Sequence, residues 1–146
     1  MTLQQTPGKA PESNWAGNHY YRATVIHHPE SEAEVQALVR GASSVQALGS
    51  RHSFNAIADT HGIQICLDKL PVAVRIDAEA MTVTVGGGSS YGALAVELAA
   101  HGFGLANLAS LPHISVAGAI ATATHGSGDD NANLASDDSF WQGQKK

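Results

Sequence analysis

Two stretches of this chain are rich in small residues: GSRHS at residues 49–53, within LGSRHSFN, and SVAGAIATATHGSG at residues 115–128. Small residues let backbone come close to other backbone or to a ligand, so any fold must bring both stretches against something. The first directly follows the strand-like run SVQAL, which makes it a strand-end loop. In the second, Ser115 is placed to start a short helix that would aim further N–H groups the same way as the first loop.

Regular elements surround these loops. Residues 23–26 read as a short strand. Pro29, a Ser31 cap and Glu34 three residues later announce a helix whose apolar stripe is Val35, Leu38, Val39 and Ala42. Ile63, Ile65 and Leu67 alternate, as do Val72, Val74 and Ile76, and after the turn DAEA so do Met81, Val83 and Val85. SSYGALAVELAAHG then sets Tyr91, Leu94, Ala95, Leu98 and Ala99 on one helical face, with Gly102 to stop it. The order β-α-β-loop-β-β-β-α predicts an α+β domain, ordered from about residue 14 after a polar, flexible lead over residues 1–13.

Length and charge narrow the function. A chain of 146 residues, 43% apolar, buries one modest core. Its net charge of -5, without a basic run before the final Lys145 and Lys146, argues against a nucleic-acid partner. No segment approaches the roughly 18 apolar residues of a membrane span, and no signal peptide is expected. With Cys66 as the only cysteine, a reducing, cytoplasmic setting is expected and disulfides within one chain are excluded.

Three chemistries compete for the loops. A metal site finds no support in spacing: none of the eight histidines pairs with another at i, i+4 beside a glutamate, and adjacent His27 and His28 on a strand point to opposite faces. No metal ligands are expected. GSSYG at residues 88–92 matches the G-x-S-x-G nucleophile elbow, with Ser90 as nucleophile. Residue order counts against a hydrolase, because Asp129, Asp130, Asp137 and Asp138 all follow the last histidine, and Glu97 lies on the elbow's own helix. Helix capping by Ser89 or Ser90 explains the match. The third chemistry is anion binding. No G-x-x-x-x-G-K-[ST] and no G-x-G-x-x-G is present, yet consecutive N–H groups in two small-residue loops suit a pyrophosphate. On the residues alone, pyrophosphate binding and ordinary turns both stay open.

NWAGN, LGSRHSFN, VTVGGGSSYGALA, NLASLPHISVAGAIATATHGSG and a second NLAS, in that order over residues 14–136, closely resemble the front part of the bacterial alditol (xylitol, sorbitol) oxidases. Those enzymes belong to the vanillyl-alcohol-oxidase flavoprotein family, which also holds the aldonolactone oxidases. The resemblance implies a PCMH-type FAD-binding domain of two small α+β subdomains, about 14–77 and about 78–136, with the cofactor between them. It implies that Gly49, Ser50, Arg51 and Ser53 hold the FAD pyrophosphate, and that His52 bonds covalently to the flavin 8α-methyl carbon. By the same resemblance Ser110 lies beside the flavin facing the substrate, and Ser115, Gly118, Thr122 and His125 make further FAD contacts. Ala109 stands where residue size influences oxygen access, and His113 is left as structural or as a support behind the residues that touch the cofactor. Arg51 replaces a glycine frequent in the family.

The implied reaction is oxidation of a polyol's terminal CH–OH, with oxygen as acceptor and hydrogen peroxide as product; a sugar lactone is the alternative substrate, and a non-catalytic remnant of the FAD domain the alternative role. After the second NLAS the family pattern is lost. DDSFWQGQKK, residues 137–146, has no strand-like alternation, so an aberrant tail, an incomplete second subdomain and an absent C-terminal substrate domain are expected, with no turnover by this chain alone.

Overall fold

A computed structural model describes residues 12–128, 133 and 134, together with the backbone of residues 140–142. The first lobe is a three-stranded parallel sheet. Its strands are β1 (Val25–His27), β2 (Val45–Ala47) and β3 (Ile63–Ile65), in the order β1-β3-β2. Helix α1 (Glu32–Gly41) connects β1 to β2.

Helix α1 begins as its sequence dictates. Ser31 accepts the Glu34 N–H, while the Glu34 carboxylate accepts the N–H of Glu30, one residue earlier than a standard capping box. Val35, Leu38 and Ala42 are half-buried. Val39 is 52% exposed, so the stripe is narrower than expected.

The second lobe carries most of the core. β4 (Val74–Asp77) pairs antiparallel with β5 (Thr82–Val85), and α2 (Tyr91–Ala100) lies beside them. Tyr91, Leu94 and Leu98 of α2 are buried with Ile114, Val116, Ala119 and Leu134, and Val74, Ile76, Val83 and Val85 pack on that cluster. Leu98 is wholly covered. Each such side chain contributes about 1.5–3 kcal/mol, and Leu98→Ala would cost about 2–5 kcal/mol. Helix α2 stops at Gly102, whose φ of 81° a side chain would resist.

Several expectations change. The division expected between residues 77 and 78 falls inside the β4–β5 hairpin, because β4 pairs with β5 and packs on the α2 cluster. Val72, expected in a strand, is 63% exposed beside Pro71, which has no N–H to offer a ladder. Ala99, expected on the buried face of α2, is exposed.

Two strands escaped the sequence pattern. Phe103–Leu105 forms β6, and Phe140–Gln142, inside the tail expected to have no strand, forms β7 antiparallel to it. Strand pairing is a backbone transaction that needs an open edge, and three residues are too few to reveal alternation. Glu12 and Ser13 are also held, since the Tyr21 N–H donates to Glu12 O and Ser13 bridges Tyr20. The rest of the expected lead, Asp129, Asp130, Ser136, Asp137 and Asp138 lie outside the described residues.

Candidate functional site

The parallel strands β2 and β3 end at one side of a cleft of about 530 Å³. Its walls are the loop after β2 (residues 48–53), the segment after β3 (Cys66–Asp68), the glycines before α2, and the loop running into α3 (Val116–Ala121). Ligand clefts at the carboxyl ends of parallel strands are a general consequence of where loops gather.

The loop after β2 is held from outside so that its own donors stay free. The Asn14 amide donates to Ser53 O (3.0 Å), the Trp15 N–H donates to Arg51 O (2.9 Å), and the Asn18 amide donates to Phe54 O (3.3 Å). NWAGN is thus a clamp on this loop, folded back at Gly17 (φ 69°). Farther on, Gln46 donates to Ile57 O, Gln64 to Ala58 O, and Asp59 accepts from Arg22. Among the described residues, none of the N–H groups from Gly49 to Ser53 donates to a protein acceptor. Five consecutive unpaired N–H groups at the cleft wall, with Arg51 in the left-handed region at φ 66°, are the backbone chemistry from which anion-binding concavities are built. That φ explains why glycine suits position 51. The Arg51 guanidinium turns away to an ion pair with Glu12.

The loop before α3 behaves differently from expectation. Its N–H groups are spent: Ser115 on Ser50 Oγ (3.4 Å), Val116 on Ser89 O (2.8 Å), Ala117 on Gly87 O (3.0 Å) and Gly118 on Ser115 Oγ (3.3 Å). These bonds fasten three loops together rather than presenting donors to a ligand. The free donors on that side are the N–H groups of Gly87 and Gly88, for which no protein acceptor exists among the described residues. Close approach is essential where the loops meet, because a Cβ on Gly49 would lie 2.8 Å from Ser115 Oγ.

His52 points into the cleft against His113. Their rings are 4.5 Å apart between centroids, their Nε2 atoms share a hydrogen bond, and Trp15 flanks His52 at 5.2 Å. Burial pushes the His52 pKa below its ordinary value, and the neighbouring His113 pushes it the same way. The imidazole therefore favours its neutral form more than a free histidine does.

Of the residues singled out from the sequence, Gly49, Ser50, Arg51, His52, Ser53, Ser115, Gly118 and Thr122 line the cleft. Ser110 and His125 do not. Ser110 is exposed on the loop after β6, and exposed His125 turns its Nδ1 to Gly126 O at 2.8 Å. Reasoning from sequence missed His113, Gly87 and Gly88 as cleft residues; the GGG run at 86–88 was the available signal. Ser90 is an N-cap, accepting the Ala93 N–H at 3.2 Å.

Fold and site together define an α+β module of two small lobes that meet at a cleft lined by free backbone donors. The chain belongs to the FAD binding domain family, whose model matches residues 23–138. An alditol oxidase from Streptomyces sp. (strain IKD472 / FERM P-14339) is 49% identical over 126 residues, covering 84% of this chain and 30% of that protein. An L-gulono-1,4-lactone dehydrogenase from Mycobacterium tuberculosis (strain ATCC 25618 / H37Rv) is 41% identical over 128 residues, with the same 84% and 30% coverage. Among solved structures, the cholesterol oxidase from B. sterolicum superposes with a TM-score of 0.66 at 20% identity, over 86% of this chain and 27% of that one. The likeness to that structure is one of fold. The chain spans about a third of the length of the curated relatives it matches.

Proposed function

We propose that the cleft holds FAD, anchored covalently through His52, and that this chain is the cofactor-binding part of an oxidoreductase acting on the CH–OH group of a polyol of the xylitol or sorbitol type, with oxygen as acceptor and hydrogen peroxide as product. The observation that carries this reading is the row of five free N–H groups from Gly49 to Ser53, with those of Gly87 and Gly88 lining the same cleft. A pyrophosphate accepts that many hydrogen bonds, and close approach of its oxygens requires the small residues present.

The residues fit the cofactor beyond its phosphates. Burial and His113 favour the neutral form of His52, whose nitrogen would bond to the flavin methyl carbon as that carbon loses a proton, with the electron pair passing to the flavin and then to oxygen; His113 and Trp15 flank its ring. Ser115, Gly118 and Thr122 complete the wall, with Ser115 holding the α3 turn in place. When bound, the flavin supplies the hydride acceptor and the reaction with oxygen. The chain's own part is to position it and exclude water from its phosphates. Ser110 is our candidate for the residue that meets substrate beside the flavin, and Ala109 for the one that governs oxygen access. His125 is our candidate for a further FAD contact, reached by a turn of its ring away from Gly126 O.

The relatives support both an alditol and a sugar lactone as substrate, and the alditol reading rests on the 49% identity. No helix among the described residues is long and apolar enough to cross a membrane, and the free Cys66 agrees with the reducing cytoplasm we propose. The test is direct. Chain incubated with FAD, denatured and run on a gel should carry flavin fluorescence, and His52→Ala should lose it while keeping the same circular dichroism. Covalent flavin on His52→Ala would overturn the anchor, and absence of any FAD binding by the original chain would overturn the cleft assignment.

A further inference from the structure

We propose that His28, Cys66 and Asp68 form a binding site for a zinc-class divalent cation on the rim of the cleft. Sheet register brings them together. In the parallel pair β1 and β3, His27 stands opposite Ile65, and the Cys66 N–H donates to His27 O at 2.9 Å, so positions 28 and 66 are the next pair in register. Residues 28 and 66 thus leave the two strands side by side, and the turn after β3, closed by the Leu70 N–H on Leu67 O at 3.2 Å, carries Asp68 beside them. One ligand atom from each lies within 4.8 Å of the other two, and His28 Nδ1 is 2.7 Å from Asp68 Oδ1.

The donor set selects the ion. Imidazole, thiolate and carboxylate are the ligands of tetrahedral zinc, at about 2.0–2.3 Å, which sets ligand atoms roughly 3.3–3.8 Å apart. His28 Nδ1 and Asp68 Oδ1 stand closer than that at 2.7 Å and no pair is farther apart than 4.8 Å, and the His28 and Asp68 side chains, 40% and 48% exposed, are free to adjust. A hard cation such as magnesium or calcium would want oxygens only. Three protein ligands leave a fourth position for water. Spacing along the sequence concealed the set, because His28 and Cys66 lie 38 positions apart. Cys66 and Asp68 also line the cleft, so the site is tested in the chain without flavin.

Cobalt(II) is the probe, added to the full chain without flavin, with zinc as competitor. The expected result is one equivalent bound with a thiolate-to-cobalt charge-transfer band, abolished by zinc. Cys66→Ser should remove the band, and Asp68→Asn and His28→Gln, both at exposed positions where folding is undisturbed, should each weaken binding at least tenfold. His101→Gln, remote from the triad, should change nothing. No charge-transfer band, or undiminished binding in Asp68→Asn and His28→Gln, would overturn the site.

Discussion

Replacing Asp59 by asparagine tests how the loop carrying His52 is held. The Asp59 carboxylate is fully covered and accepts from the Arg22 N–H (2.7 Å), Arg22 Nε (2.7 Å) and the Thr60 N–H (2.8 Å). His19 Nε2 lies 3.3 Å away but out of line for a hydrogen bond. Burial alone would raise its pKa; the bonds from Arg22 and Thr60 outweigh burial and bring it from 3.8 down to about 2. A difference of about 1.8 pH units at about 1.36 kcal/mol each gives roughly 2.4 kcal/mol. Because the Arg22 side chain is 56% exposed, solvent screening trims that to about 1–2 kcal/mol. The folded pKa is depressed, so this stabilisation is present above pH 3.8 and is lost as pH falls toward 2. Urea denaturation of the chain and of Asp59→Asn between pH 7 and pH 2.5 should therefore show a gap of about 1–2 kcal/mol that narrows with acidification. A gap that is constant with pH, or absent at pH 7, would show that the carboxylate charge does not hold this segment.

Four further outcomes follow from particular contacts. His113→Gln should raise the His52 pKa, because it removes one of the two causes that lower it; an imidazole titration by NMR that leaves His52 unmoved would refute the coupling. Gly88→Ala would put a Cβ 2.2 Å from the carbonyl oxygen of Leu67, a backbone atom that cannot swing aside, and should cost about 1–3 kcal/mol in thermal unfolding and weaken FAD binding at least tenfold. Arg51→Gly trades relief of the left-handed strain, about 1 kcal/mol, against a partly exposed ion pair with Glu12, so stability should change by less than about 1 kcal/mol and FAD binding should persist in fluorescence titration. Ser90→Ala should lose about 1 kcal/mol of α2 capping in chemical denaturation, and neither form should hydrolyse an activated ester.

Local chemistry made much of the fold legible. Ser31 and Glu34 mark the start of α1, Gly102 marks the end of α2, and the alternation of Val83 and Val85 announces β5, because each of these signals acts within a few residues. The cleft was legible only in part. The loop at residues 49–53 is identifiable as a strand-end turn of small residues, but whether its N–H groups are free depends on what else reaches them. Ser115 was expected to aim donors at a ligand and instead spends them on Ser50, Ser89 and Gly87. His113 is set apart from most other histidines only by the small residues around it, and its meaning comes from a partner 61 residues away.

By itself, then, the sequence determined the kinds of element, their caps, and the loop chemistry suited to an anion, since propensity, capping and small-residue turns are decided by near neighbours in the chain. Only the tertiary structure decided which backbone donors remain free, that His52 meets His113, and that His28 joins Cys66 and Asp68 at the ends of adjacent strands. Those outcomes depend on sheet register and loop-to-loop contact, which are set by how distant segments bury a common core and leave no trace in local spacing.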